Sequence, residues 1–304
     1  VKAWDAIGIG LAVRDVSVLM DRYPEADEKI RAREIHEAGG GPVPTALVTL
    51  ARFGRKTTLS ALVGDDAVGR FILEGLSREN VDIGPVTVKP GYESGTSVII
   101  VENGRRTILE APRGVGFPLE WEDVRKLPLD DCSALLLDAR VPEVQVRAAR
   151  IARAAGALVV LDCGHPREGV DELVTECDVA ILSHTYPQTL HGGDVDVPDF
   201  LQELGGRLPR SGPAVAGVTL GPDGCAMLSR EEGYIRLEAH PVQALDTTGA
   251  GDVFHGAFAH AFLQTGSVER SARFANVTAA TKCRGMSGRA PIPSEEEVWR
   301  LAMP

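Results

Sequence analysis

Short runs that are apolar throughout alternate along the chain with segments whose apolar residues recur every three or four positions. Residues 5–10, 57–64, 133–138, 157–162, 178–183 and 214–220 predict strands. Residues 45–53, 67–79, 142–155, 198–208, 251–265 and 267–282 predict helices. A strand without polar alternation is buried on both faces, and strands separated by helices make βαβ units. The expected class is therefore α/β, with a mostly parallel central sheet.

Two stretches, 16–36 and 96–110, depart from this rhythm and alternate apolar with polar residues, as in Ser97-Val98-Ile99-Ile100-Val101 and Arg106-Thr107-Ile108-Leu109. The Asn103-Gly104 dipeptide between the last two runs is a hairpin signal. Such segments predict a small antiparallel sheet projecting from the body as a lid over a cleft, formed by about 16–38 and 95–110. At ~150 residues per domain, 304 residues would divide in two, yet large α/β sheets exceed that size. No repeat or linker separates the parts, so a single domain over 1–304 is expected. A small sheet cannot bury its own edges and apolar faces, which predicts a homodimer formed through the lid.

Composition narrows the partners. Apolar residues at 44% and charged residues at 25% describe a globular chain with a sizeable core. The 32 basic against 43 acidic residues leave a net charge of −11, which repels nucleic acid and anionic lipid. The longest apolar runs fall far short of the ~20 residues that cross a bilayer, and no signal-peptide core opens the sequence, so a cytoplasmic protein is expected. The five cysteines are scattered without a C-x-x-C pair, and read as core thiols.

The chemistry concentrates in Asp246-Thr247-Thr248-Gly249-Ala250-Gly251-Asp252-Val253-Phe254-His255-Gly256-Ala257. Helical periodicity after Gly251 places Gly249, Ala250 and Gly251 at a helix N-terminus, where uncovered amides and the helix dipole suit a transferring phosphoryl group. Asp252 in the first turn can accept the proton of an attacking hydroxyl. Close helix packing and capping by Asp252 would be the plain structural alternative. No G-x-x-x-x-G-K-[ST] occurs, and Gly8-Ile9-Gly10-Leu11-Ala12-Val13 does not complete a dinucleotide fingerprint.

The twelve-residue string resembles the C-terminal signature of the PfkB family of carbohydrate kinases. A second resemblance lies in Gly39-Gly40-Gly41-Pro42-Val43-Pro44-Thr45 and the residues through Gly54. The likeness implies a ribokinase-like three-layer sandwich with a β-sheet lid, using ATP and Mg2+. It implies sugar contacts at Asp15, Gly40, Gly41 and Thr45, the last replacing the family's usual Asn. Nucleotide contacts are implied at Thr219, Gly221 and Gly224 of the Val218–Gly224 loop, at Gly249 and Gly251, and at Asn276. Asp246 and Thr248 match positions that bind a monovalent cation, often potassium, together with carbonyls of a loop corresponding to 283–289.

Two departures bear on substrate. Ser183-His184-Thr185-Tyr186 stands where many members carry N-x-x-E beside the magnesium, leaving Asp162 either to hold Mg2+ through water or to cap the next turn. Arg140 stands at a strand end where ribokinases place a carboxylate, and its guanidinium fork suits an anionic sugar. Together with Lys282-Cys283 and Gly288-Arg289-Ala290 this looks most like the sulfofructose kinase branch, although Glu110 on the lid would repel an anion. Alternatively, Arg140 is a surface residue paired with a neighbouring carboxylate. The expected activity is ATP-dependent phosphorylation of a hydroxymethyl group of a sugar, including an anionic ketose or sugar acid. A nucleoside kinase, or a weakly catalytic sugar or nucleotide sensor on the same scaffold, are the alternatives.

Overall fold

In a computed structural model of the chain, which describes residues 2–110, 119–289 and 291–303, β1 (Trp4–Ile9) leads into β2 (Val13–Met20), β3 (Glu34–Gly40) and α1 (Pro42–Arg52). There follow β4 (Thr57–Ser60), β5 (Leu62–Gly64), α2 (Ala67–Arg78), β6 (Val81–Asp82), β7 (Thr87–Lys89), β8 (Gly95–Glu102) and β9 (Arg105–Glu110). After the short α3 (Trp121–Val124), β10 (Cys132–Leu137), β11 (Leu158–Cys163), β12 (Val179–Ser183) and β13 (Val215–Thr219) alternate with α4 (Pro142–Ala154), α5 (Val170–Val174), α6 (Thr185–His191) and α7 (Val197–Arg207). The hairpin β14 (Cys225–Ser229) and β15 (Gly233–Leu237) precedes α8 (Ala250–Thr265), α9 (Val268–Lys282) and α10 (Glu295–Ala302).

The central sheet runs β6-β4-β1-β10-β11-β12-β13-β14-β15, parallel as far as β13 and antiparallel beyond it. Alternate residues of each strand enter different cores. Ala134 and Leu136 of β10 face the layer of α1, α2, α8, α9 and α10, whereas Leu135 and Leu137 face that of α3 to α7. This is the expected three-layer α/β sandwich. The apolar 57–64 run is two strands, not one: the chain changes sheet at Ala61, whose carbonyl accepts Thr87 N, and β5 pairs with β7. All five cysteines are buried and unpaired, and among the described residues no helix is long and apolar enough to cross a membrane.

The second sheet, β3-β2-β8-β9, corresponds to the expected lid but differs in pairing. β2 and β8 run parallel from Val13↔Gly95 to Met20↔Glu102, so the sheet is mixed rather than antiparallel. Both strands leave the body in the same direction, and the long excursion from β3 to β7 supplies the connection that parallel neighbours need. The sheet also begins earlier, at Val13, which puts Asp15 on a lid strand. Asn103 (φ 49°) and Gly104 (φ 74°) form the tight turn between β8 and β9, as the dipeptide predicted.

Candidate active site

The chain passes from β1 to β4 on one side of the sheet and later to β10 on the other, and an open α/β sheet binds ligands at the strand C-termini beside such a reversal. Here Asp138 joins the two strand ends. One carboxylate oxygen accepts Leu11 N at 2.7 Å, and the other accepts Arg140 N at 3.1 Å and Gln145 Nε2 at 3.0 Å. Ala139, at φ 57°, turns the chain sharply enough to carry Arg140 toward the lid. Its guanidinium pairs with Glu110 at 3.0 Å. This pair matches the alternative reading of Arg140, a partner for a neighbouring carboxylate, and in it Glu110 offsets the arginine's charge.

Asp15 is buried beneath the glycine run that ends β3. A Cβ on Gly40 would lie 2.1 Å from Asp15 Oδ2, and one on Gly39 would lie 2.2 Å from Arg289 Nη1. The glycines therefore make room for an acid and a base that the fold brings together, rather than simply closing on a ligand. Arg289 donates to Gly40 O at 3.3 Å. Burial pushes the Asp15 carboxyl up to about 7, with the Asp252 charge adding to the rise and Arg289 opposing it. Burial also draws Arg289 down to about 10, against the attraction of Asp15. Gly41 (φ 97°) precedes α1, and Thr45 in its first turn has a buried hydroxyl with no hydrogen-bond partner among the described residues. A buried unpaired hydroxyl is costly, which makes it a candidate for contact with a ligand.

α8 is apolar on nearly all sides and crosses α1 backbone to backbone at Gly256, where a Cβ would stand 2.4 Å from Ala46 O. Its N-terminus is thereby fixed beside that of α1. Gly249 caps it at φ 71°, and a Cβ there would lie 2.6 Å from Gly288 Cα, so only glycine fits. Ala250 N is taken up by Thr247 O at 3.2 Å, a correction to its expected place among the open amides. Among the described residues, the amides of Gly249, Gly251 and Asp252 donate to no protein acceptor, the first helical bond being Val253 N to Gly249 O. The half-buried Asp252 carboxylate makes no hydrogen bond among the described residues. Burial pushes it above the usual carboxylate range, against the pull of His255, Arg106, Lys282 and Arg289.

Two cations absent from the expected site approach this turn. Arg106, on lid strand β9, donates to Thr247 Oγ1 at 2.9 Å. Lys282, wholly buried at the end of α9, donates to the carbonyls of Asp246 (3.0 Å) and Thr248. Asp246 Oδ1 accepts Thr248 N and Oδ2 accepts Ser287 N, both at 2.8 Å.

Below the turn, His255 Nδ1 lies 2.7 Å from Gly251 O and 3.2 Å from Asp162 Oδ2, while Nε2 lies 2.8 Å from Ile181 O. Asp162 thus stands at the end of β11 under α8, pushed by burial up to about 7 with His255 opposing. It caps no turn. Ser183 and Thr185 both donate to Gly164 O, at 3.1 and 3.0 Å, and so occupy the place of the missing N-x-x-E as a loop clasp. Thr219 ends β13. Gly221 (φ 60°) and Gly224 (φ 86°) shape the tight turn where the sheet becomes antiparallel. Asn276 Nδ2 donates to Glu238 O at 2.6 Å, tying α9 to the segment after β15.

Residues 6–295 match the family model described as "pfkB family carbohydrate kinase". The chain belongs to the pfkB family of carbohydrate kinases. It is a phosphotransferase with an alcohol acceptor. Similar curated proteins are the mouse ribokinase, 25% identical with 98% of this chain and 94% of that one covered, and the deoxyribokinase of Salmonella typhi, 26% identical with 96% and 97% covered. The Arabidopsis thaliana ribokinase structure, complexed with ribose and ATP, superposes at a TM-score of 0.80 with 99% of both chains covered; at 23% identity this is a likeness of fold. Within this pfkB kinase the sequence-derived residues divide into two groups. Asp15 lies against Gly40 and interacts electrostatically with Asp252; Gly41 and Thr45 stand at the start of α1, and Asp162 lies on His255 of α8. Thr219, Gly221, Gly224 and Asn276 instead shape or tie segments at the β13 and β15 ends. Arg289, Lys282 and Arg106 carry no periodic signal of their own. Lys282 and Arg289 enter the sequence reading only through the segments Lys282-Cys283 and Gly288-Arg289-Ala290, and Arg106 only within the alternating 96–110 run.

Proposed function

We propose that this kinase transfers the γ-phosphoryl group of MgATP to a hydroxymethyl group of a neutral sugar. The observation that carries the reading is the open carboxylate of Asp252 beside the unpaired amides of Gly249, Gly251 and Asp252 at the N-terminus of α8. Asp252 takes the proton of the hydroxymethyl group as its oxygen attacks the γ-phosphorus. The bond from that phosphorus to the β–γ bridging oxygen breaks, and ADP leaves. The amides and the α8 dipole stabilise charge on the transferring group. A carboxyl raised by burial is a better proton acceptor than an ordinary aspartate. Mg2+ would come with ATP, a hard cation whose ligands are chiefly phosphate and water, and Asp162 would be the carboxylate to hold its water shell.

Asp15 and the Thr45 hydroxyl would orient the sugar, with Arg289 holding Asp15 in place. A neutral substrate is favoured because Arg140 is neutralised by Glu110 while Asp15, Asp162 and Asp252 surround the cleft. The nucleotide would lie along Gly221, Gly224 and Asn276.

We further propose that two copies pair through the outer lid face. Ile35, Val18 and Ile100 are cross-strand neighbours, as are Val16, Val98 and Leu109, and Ile35, Val98 and Leu109 are exposed.

Coupled measurement of ADP release across pentoses, hexoses, sugar acids, a sulfonated ketose and adenosine tests the reading. A neutral sugar should give the highest kcat/KM. Higher turnover of an anionic sugar or of adenosine contradicts the substrate assignment, and ATP binding without acceptor-dependent ADP release contradicts catalysis itself.

A further inference from the structure

We propose that the ammonium of Lys282 stands in for a monovalent cation beneath the phosphate-binding turn, so that this kinase needs no potassium. The inference rests on the reading of the α8 N-terminus as the phosphoryl site. Lys282 Nζ donates to Asp246 O at 3.0 Å and to Thr248 O, the backbone oxygens of the two residues expected to hold the ion. Three further oxygens of the expected cage are committed, while the buried Thr248 hydroxyl has no partner among the described residues. Both carboxylate oxygens of Asp246 accept amides, and Cys283 O accepts Leu245 N at 2.8 Å and Asp246 N at 3.1 Å. Ser287 adopts φ 77° in the stretch that delivers its amide to Asp246. The residues present therefore do not fit potassium, because an ammonium already sits on two of the carbonyls it would need.

The ammonium also does what an ion would do for the turn. Thr248 O is the acceptor that one more helical bond, from Asp252 N, would use. Held instead by Lys282, it leaves that amide open toward the cleft, and Asp246 O is held with it. Lys282 is thus a positioning residue, since it acts on the phosphoryl group through the turn and its amides.

The test compares the wild type with Lys282→Met and Lys282→Ala in potassium, ammonium, sodium and choline chloride at one ionic strength. Turnover with the best sugar acceptor and the melting temperature are both recorded. Wild-type turnover is expected to agree within about twofold across the salts, with no potassium-dependent rise in melting temperature. The variants should lose about 10²-fold in turnover in choline, the scale of a misplaced oxyanion donor. Potassium or ammonium, but not choline, should restore much of it and raise their melting temperature. Activation of the wild type by potassium of tenfold or more (about 1.4 kcal/mol) overturns the proposal. So does a variant that keeps full turnover in choline, or one whose loss no small cation relieves. If neither variant folds, the wild-type salt series alone decides. Absence of turnover with every acceptor would count against the kinase reading and leave the melting series to report on the cation.

Discussion

Arg140 Nη2 lies 3.0 Å from Glu110 Oε1, joining the turn after β10 to the last residue of lid strand β9. The pair spans the cleft between body and lid. A partly exposed pair of this kind contributes about 1 kcal/mol or less to folding. Arg140→Ala and Glu110→Asn should each raise KM for a neutral sugar severalfold, and the double variant should be no worse than either single one. Steady-state kinetics on the four proteins give the coupling. If Arg140→Ala instead costs a carboxylated or sulfonated sugar about 30-fold or more while sparing a neutral one, Arg140 is an anion receptor.

Arg106 brings a lid charge to Thr247, next to the open amides. Arg106→Ala is expected to lower kcat by about 10²-fold, as loss of a donor near developing charge does. Arg106→Lys should retain part of the activity. A variant with unchanged kcat and a raised sugar KM would make the lid a cover only.

The raised carboxyl of Asp15 makes stability depend on pH. The native group binds its proton more tightly than the unfolded one. Its favourable contribution is therefore complete below the unfolded value of 3.8 and is lost as pH rises through about 7. Asp15→Asn should raise the melting temperature at pH 8 and have progressively less effect toward pH 4, while weakening sugar binding. Calorimetry across that range checks the trend, and equal shifts at both ends would contradict it.

Charge on the lid's outer face tests assembly. Val98→Asp combined with Leu109→Asp is expected to give folded monomers in sedimentation, because like charges would face each other across the paired lids. A dimer that survives both substitutions would place the interface elsewhere.

Much of the architecture was legible because strands buried on both faces and an apolar α8 leave clear patterns. Gly249 and Asp252 were placed at a helix N-terminus by the string around them, whereas Asp15 was marked only by the family resemblance. The lid's mixed pairing was not, since alternation in 96–110 marks a strand but says nothing of its neighbour's direction. Ala61 could not reveal a change of sheet inside one apolar run. Lys282 and Arg289 entered only through a resemblance, and their contacts were illegible for another reason: their partners lie 36 residues away at Asp246 and 249 residues away at Gly40. Their burial arises only when the fold brings those segments together. Arg140 was read correctly as a strand-end arginine, but choosing between an anion and Glu110 required the position of β9.

The most direct test of phosphoryl transfer at this site is the turnover of Asp252→Asn. Sugar-dependent ADP formation at saturating MgATP should fall by about 10²- to 10⁴-fold, the contribution of a positioned general base, with MgATP binding and melting temperature preserved. Turnover within a few-fold of wild type would contradict the assignment of Asp252 as the proton acceptor.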